Sequence, residues 1–151
     1  MNVANSQLNQ SPLHLLHRVQ QYADDIFQRE IGQNDTTPRQ LAILTVVGSG
    51  EGLTQTDISD ATGIDRSTVS ELVARLTRRG LLARRKKVSD SRAYAVKLTA
   101  QGRDLLTRVE PQARAVEHKI LTALGKQGPE FLDQLQTLVA KLDGGSDLKA
   151  K

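Results

Sequence analysis

The sequence predicts a mainly α-helical fold with one small β-hairpin. Three observations support this class: two short helical segments are joined by a tight glycine turn, a run of alternating apolar and polar residues follows them, and long segments with helical apolar spacing stand at both ends. The length of 151 residues suits one domain with a substantial core. Because aromatic residues make up only 3% of the chain, aliphatic side chains are expected to form that core.

Two helices are predicted before residue 50. Ser11 and Pro12 supply the N-cap and first position of the first helix. Thr37 and Pro38 begin the second helix in the same way. The glycine-rich stretch 48–52 is then expected to connect this helix to the centre of the chain and to hold a short first strand of the later sheet.

The centre of the chain predicts a helix-turn-helix. Thr54 and Asp57 have the spacing of a capping box at the start of a short helix, and Gly63 suits the left-handed residue that ends it. Asp65 is the expected N-cap of a second helix, which Gly80 ends. This second helix places four apolar residues on one face, at i, i+3, i+4 and i+7: Val69, Leu72, Val73 and Leu76.

A β-hairpin is predicted directly after these helices. The basic run 84–87 lies in its first strand, and a Ser-Asp-Ser turn occupies positions 89–91. The second strand alternates apolar and polar residues up to Leu98. Because a two-stranded ribbon after a helix-turn-helix is a wing, residues 36–98 are expected to form a winged helix-turn-helix module.

Two further helices bring the predicted total to about six. Thr99 caps a long helix, and Pro129 begins the last helix after a glycine-rich turn. The apolar faces of these helices, like that of the first helix, lie outside the compact winged module. Such faces form either core or an interface. A second subunit must therefore cover them, unless the monomer folds back into a bundle.

The second helix of the helix-turn-helix presents a polar face to solvent. Opposite Val69 and Leu76, this face carries Ser67, Glu71 and Arg75. Small hydroxyls in the first turn, followed by arginines, suit a helix that lies in a DNA major groove; the alternative is an ordinary solvated face. Together with the hairpin, the candidate DNA contacts are Arg66, Ser67, Thr68, Ser70, Glu71, Arg75, Arg84, Arg85, Lys86, Lys87, Asp90 and Arg92.

Basic charge is concentrated in the same module. From Leu53 to Arg103 there are 11 Lys and Arg residues against 5 Asp and Glu, whereas the rest of the chain has 10 against 12. This distribution is typical of a nucleic-acid-binding surface. The hairpin is expected to contact phosphates, with Arg92 at its tip placed to enter a minor groove. The alternative is an edge hairpin that its charge keeps soluble.

Several short motifs follow one another between residues 53 and 102. They are Ser67-Thr68-Val69-Ser70, the pair Gly80-Leu81 with a following arginine, Asp90-x-Arg92, and Leu98-Thr99-x-x-Gly102. In this order and spacing the chain resembles the MarR family of winged helix-turn-helix regulators. The resemblance implies a single MarR-type domain over residues 1–151, with 11–34 and 99–143 as dimerisation helices. One departure is Ser91, where the family often has Arg or Lys, so the tip of this wing is less charged.

The resemblance also implies partners and a function. A homodimer would bind double-stranded DNA at a pseudo-palindromic operator as a sequence-specific transcriptional regulator. The implied activity is that of a repressor released by a small aromatic or phenolic-type ligand, held in a cleft between the dimerisation helices and the winged module. The alternative is an architectural or non-regulatory winged-helix module for DNA binding or protein interaction. A footprint over a short palindrome favours the first hypothesis, and uniform binding to any duplex favours the second.

Several other function classes find little support in the sequence. No cysteine is present, so disulfides, thiolate metal sites and thiol redox switches are excluded. His14 and His17 have a spacing that can hold a metal, but surface or dimer-interface packing is the preferred interpretation. No catalytic or phosphate-binding motif occurs, so neither catalytic residues nor a cofactor is expected. No signal peptide or membrane-length apolar run appears, which predicts a cytoplasmic protein without a membrane partner.

Overall fold

The computed structural model describes residues 7–86 and 94–145, and over these residues the fold is mainly helical with one small sheet. The six helices and two strands are, in order, α1 (Pro12–Ile31), α2 (Pro38–Ser49), α3 (Gln55–Thr62), α4 (Arg66–Arg78), β1 (Leu82–Lys86), β2 (Tyr94–Leu98), α5 (Ala100–Thr122) and α6 (Gly128–Gly144). Short 3₁₀ turns at Gly32–Asn34 and Gly125–Gln127 follow α1 and precede α6. The predicted fold class is confirmed.

The helices begin where short polar side chains cap them. The side-chain oxygens of Ser11, Thr37, Thr54, Asp65 and Thr99 each accept a hydrogen bond from the backbone N–H three residues later. At Thr37 and Thr54 the third helical residue reciprocates, which completes a capping box. Because these contacts are local, five helix starts in the described chain follow from sequence, and all five predicted N-caps are confirmed.

The helix-turn-helix packs its apolar face into the centre of the molecule. Gly63 ends α3 with a φ of +69°, a left-handed conformation that lets α4 turn away. The apolar α4 side chains then pack into a core to which the helices before and after the helix-turn-helix and the two strands also contribute. Fully buried members of that core include Ile31, Ile43, Leu44, Ile58, Val69, Val73, Leu76, Leu82, Val96 and Val109.

The two strands pair antiparallel, with Leu82 opposite Leu98 and Lys86 opposite Tyr94. A third segment joins the sheet only at Leu53, whose carbonyl accepts a 2.7 Å hydrogen bond from the Val96 N–H. The prediction placed this first strand within residues 48–52, but α2 continues to Ser49 and the pairing begins after the connector. The bridge ties the helix-turn-helix to the hairpin.

The terminal helices leave apolar side chains uncovered. Helix α1 buries only Phe27 and Ile31, while Leu13 near its start is 66% exposed. Helix α6 buries only Gly128 and exposes Leu132, Leu138, Val139 and Leu142. These faces match the predicted stripes, and the described chain does not fold back to cover them. Among the described residues, no helix combines the length and apolar character needed to cross a membrane.

Candidate functional site

Helix α4 has one buried face and one polar, exposed face. Val69, Val73 and Leu76 hold it against the core. Of the predicted DNA contacts on this helix, Thr68 is half-buried, and the others are exposed: Arg66, Ser67, Ser70, Glu71 and Arg75. The core contacts therefore fix the orientation of this polar surface.

The first turn of α4 contains a short hydrogen-bonded cluster around Asp65. The Ser67 hydroxyl lies 2.6 Å from Asp65 Oδ1, and the Thr68 N–H donates to the same oxygen at 2.9 Å. The bond from the Ser67 side chain, followed by the bonds from Thr68, holds the pKa of the Asp65 carboxyl well below its usual range. The Asp65 side chain is therefore an anion that is already paired at the helix N-terminus.

One turn further along, Glu71 and Arg75 form an ion pair on the same face. Arg75 Nη2 donates to Glu71 Oε1 at 3.1 Å, with side chains that remain 50% and 69% exposed for Arg75 and Glu71. Such exposed i,i+4 pairs contribute only about 0.3–0.5 kcal/mol to stability. The pair therefore mainly orients the guanidinium, which it contacts through Nη2, one of the three nitrogens that carry its five N–H donors.

The β-hairpin adds positive charge beside this helix. Arg84, Arg85 and Lys86 of β1 are all exposed. Their strand is held in place by the pairing with β2 and, through Val96, by the bridge to Leu53. The other predicted hairpin contacts, Lys87, Asp90 and Arg92, lie outside the described residues.

A second feature is a cleft between the helix-turn-helix and the long helix. It has a volume of about 940 Å³ and is lined by parts of α1, α2, α3, β2 and α5. Its apolar lining includes Leu41, Val46, Leu98 and Leu106. Two arginines and two glutamates are in the lining. Arg103 donates to the Leu98 carbonyl at 3.3 Å, Arg114 is paired with Glu110, and the other carboxylate is that of Glu117.

The described residues do not bring metal-binding side chains together. His14 and His17 lie on α1, and no cluster of three or more His, Cys, Asp or Glu side chains suited to a metal occurs in the described parts of the chain.

Sequence reasoning missed two parts of this arrangement. Asp65 was expected to cap α4, but not to engage the Ser67 hydroxyl; the Asp-x-Ser spacing was the available signal. Residues could not be assigned to the cleft because five elements, spread along the sequence from α1 to α5, line it.

The sequence and the fold match proteins of one family. Residues 34–93 match the model of the MarR family. The transcriptional regulator HosA of Escherichia coli O157:H7 is 28% identical over 128 residues, which cover 85% of this chain and 93% of HosA. A crystal structure of the PcaV transcriptional regulator from Streptomyces coelicolor with its natural ligand has a TM-score of 0.81 and 30% identity, and covers 89% of this chain and 94% of PcaV. The chain belongs to the MarR family of transcriptional regulators.

A further structure extends this MarR-family comparison. BpsR from Bordetella bronchiseptica, whose structure addresses the regulation of its DNA binding by 6-hydroxynicotinic acid, has a TM-score of 0.79 and 28% identity. The match covers 90% of this chain and 95% of BpsR. The MarR-family chain therefore has the winged-helix fold of these regulators along nearly its whole length, including the terminal helices.

Proposed function

We propose that this MarR-family chain is a homodimeric, sequence-specific DNA-binding regulator that represses transcription until a small aromatic anion lowers its affinity for DNA. The single observation that carries the proposal is the exposed polar face of α4, fixed by buried Val69, Val73 and Leu76 and flanked by a basic hairpin. A helix held in this way suits the major groove. The proposed site of action is the cytoplasm, where the bacteria that carry the similar regulators HosA and PcaV keep their DNA.

The contacts divide into two kinds. On α4, Arg75 reaches base edges, and Arg66, Thr68 and Ser70 lie where the helix meets the groove and its phosphates. On the hairpin, Arg84, Arg85 and Lys86 contact phosphates, because an exposed basic strand neutralises backbone charge. From the sequence alone, Lys87 and Arg92 extend these contacts towards the wing tip, where Asp90 orients Arg92.

Dimerisation follows from the uncovered apolar side chains of the terminal helices. Residues 11–34 and 99–143 are the proposed dimerisation segments, and residues 36–98 are the DNA-binding module of the single domain 1–151. A symmetric dimer would place two copies of α4 about one DNA turn apart, roughly 34–36 Å, and so select a pseudo-palindromic operator.

The cleft is the proposed effector site. Its apolar walls suit an aromatic ring, and Arg103 and Arg114 supply positive charge for an acid group. The PcaV structure holds a natural ligand, and DNA binding by BpsR is regulated by 6-hydroxynicotinic acid, an aromatic acid; both proteins have this fold. Because the cleft lies between α5 and the winged module, an occupant can bias how the two are oriented.

Selection from a random duplex library tests DNA recognition. We expect a pseudo-palindromic sequence, bound by a dimer that gel filtration with light scattering detects. Affinity for it should fall with salt, with a slope of log K against log salt near −0.9 for each phosphate contact. Uniform affinity for every duplex would instead support the architectural alternative.

A thermal-shift screen tests the effector. Benzoate-type aromatic acids should raise Tm and weaken operator binding, whereas the matching neutral amides should do neither, because only the acid meets the arginines. Arg114→Ala should lose the response to the acid while keeping operator binding. If acids and amides behave alike, the anion is not recognised in this cleft.

A further inference from the structure

We propose that Ser67 contacts DNA only as a hydrogen-bond acceptor, so that it selects adenine or cytosine over guanine or thymine at its contact, and that Asp65 imposes this choice. The inference rests on the proposed function, because it assigns a specificity to the DNA-facing surface of α4. It concerns which bases the first turn accepts, not whether the protein binds DNA.

The 2.6 Å contact between Ser67 Oγ and Asp65 Oδ1 contains a single proton. A carboxylate that is ionised accepts hydrogen bonds and donates none. Since the pKa of Asp65 is held below its usual range, the carboxyl is ionised near neutral pH, and the proton in this contact belongs to Ser67. A serine hydroxyl has one proton to donate and two lone pairs that accept. Its donating capacity is therefore already used.

The helix itself keeps this arrangement in place. Asp65 Oδ1 also accepts the Thr68 N–H at 2.9 Å, so the carboxylate cannot turn away without uncapping α4. Hydrogen bonds to an ionised partner are roughly twice as strong as neutral ones. Rotating the Ser67 proton towards DNA would break one of them. The exposed Ser67 thus presents its remaining lone pairs outward.

The same carboxylate disfavours a phosphate at this point. A helix N-terminus ordinarily attracts an anion, but here an anion of the chain already occupies it. A phosphate oxygen beside Ser67 would find no donor on the hydroxyl and would face the Asp65 charge. The contact is therefore with a base edge.

Only two groups on the major-groove edges can donate to such an acceptor. They are the N6 amino group of adenine and the N4 amino group of cytosine; guanine and thymine offer acceptors or a methyl group at the corresponding places. An acceptor-only hydroxyl therefore distinguishes amino bases from keto bases on one strand. It does not distinguish an A·T from a C·G pair when the amino base lies on that strand.

Binding selection on a randomised operator, with wild type and Ser67→Ala, locates the contact. We expect Ser67→Ala to lose a preference for A or C at one position per half-site and to leave the other positions unchanged. Because every base pair carries one amino base, the preference should group A·T with C·G in the same orientation, and the strand is assigned by the analogues described below. No affected position, or a preference that does not group these two pairs, would overturn the inference. A wild type that selects no sequence would overturn the proposed function instead, together with what rests on it.

Base analogues then test the amino group itself. The N6 amino group is removed by unsubstituted purine in place of adenine, and the N4 amino group by 2-pyrimidinone in place of cytosine. At the located position, the analogue should weaken wild-type binding roughly two- to tenfold, as expected for one hydrogen bond, and leave Ser67→Ala unaffected. The analogue at a neighbouring position serves as the control. Equal losses in both proteins would show that Ser67 does not accept from the amino group.

Two substitutions at position 65 separate the effect of Asp65 on the Ser67 hydroxyl from its role as the N-cap of α4. Asp65→Asn keeps an acceptor oxygen for both the Thr68 N–H and the Ser67 hydroxyl, so the preference for amino bases should persist. Asp65→Ser keeps a cap with a shorter side chain that no longer takes the Ser67 proton, and guanine or thymine should then be tolerated. Circular dichroism confirms that both variants fold. An unchanged preference in Asp65→Ser would remove Asp65 from the explanation.

Discussion

Arg79, the residue that follows α4, places its guanidinium 3.6 Å from the carboxylate of Asp35 in the loop between α1 and α2. A second nitrogen of Arg79 lies 3.4 Å from the side-chain oxygen of Gln40, a buried residue that also caps α2. On the other side of the same loop, Asn34 exchanges hydrogen bonds with Arg108 and Gln112 of α5. The loop therefore connects α5 to the end of α4, the helix that is proposed to enter the major groove.

The two contacts of Arg79 should contribute unequally to stability. The Asp35 side chain is 96% exposed, and exposed ion pairs contribute roughly 0–1 kcal/mol. Gln40 is buried, so the hydrogen bond that its oxygen accepts from the charged Arg79, beside the one from the Thr37 N–H, is shielded from water. We therefore expect Arg79→Ala to lower the free energy of unfolding by about 1 kcal/mol. Asp35→Ala should lower it by much less. Urea denaturation measures both, and equal losses would assign the stabilisation to the ion pair.

Gly102 should tolerate no side chain. A Cβ at this position would lie 2.2 Å from the Leu81 carbonyl oxygen, a backbone atom that cannot move aside without shifting the start of β1. Thr99 fixes the same junction, since it caps α5 and donates to the Gly80 carbonyl at 2.6 Å. Gly102→Ala should therefore cost about 1–3 kcal/mol of stability, as overpacking does.

Gly144 provides the matched control for this prediction. It also lies in a helix, but no atom lies within 4 Å of its added Cβ. Gly144→Ala should be neutral or stabilising by up to about 1 kcal/mol, because alanine favours helix more than glycine. Thermal unfolding of the two variants measures the difference. A Gly102→Ala protein as stable as wild type would show that the junction at Leu81 relaxes.

The helix starts were predictable because their determinants are local. Thr54 with Asp57, and Asp65 with Thr68, satisfy backbone donors three residues away, so the pattern is visible in a few letters of sequence. The Glu71–Arg75 pair follows from the same helical spacing, and the structure contains it.

What could not be predicted depends on distant parts of the chain. Arg79 and Gln40 are 39 residues apart, and nothing in the sequence distinguishes Arg79 from neighbouring surface arginines. The Leu53 bridge depends on where β2 comes to lie, so the prediction placed that strand within 48–52, just before the residue that pairs. Ser67 was correctly expected to be exposed, but its engaged proton appears only when the Asp65 carboxylate is seen beside it.

The depressed pKa of Asp65 should appear in the pH dependence of stability. A carboxyl whose pKa is lower in the folded than in the unfolded chain stabilises the fold above the unfolded value, about 3.9, and loses that contribution as pH falls through the folded value. Asp65→Asn cannot titrate. Wild type should thus have the higher Tm near neutral pH, and the difference should shrink as the pH is lowered below about 4. If the Tm difference stays constant with pH, it arises from the geometry of the cap alone.

Arg75 should determine one base pair in each half-site. Its guanidinium is exposed and held by Glu71 at 3.1 Å, a placement that limits its conformations before DNA binds. An arginine fixed in this way can pair with guanine O6 and N7, a contact worth about 1–3 kcal/mol of discrimination. Arg75→Ala should therefore relax the preference at one position per half-site in a selection from a randomised operator. If Arg75 contacts only phosphate, every sequence will instead be weakened alike and the preferred sequence will not change.

Substitution of Glu71 tests, in the same selection, whether this residue only orients Arg75 or also contacts DNA itself. Glu71→Gln removes the charge of the pair but keeps a side chain of the same shape. If Glu71 only orients Arg75, this variant should weaken the preference at the Arg75 position and leave neighbouring positions as they are. If Glu71 itself accepts a hydrogen bond from a cytosine amino group, Glu71→Ala, which leaves no acceptor oxygen, should remove the preference at a second position. Arg75→Ala should not affect that position. The double variant Glu71→Gln/Arg75→Ala decides between these outcomes. If the two residues act as one unit, their losses of binding free energy will not add.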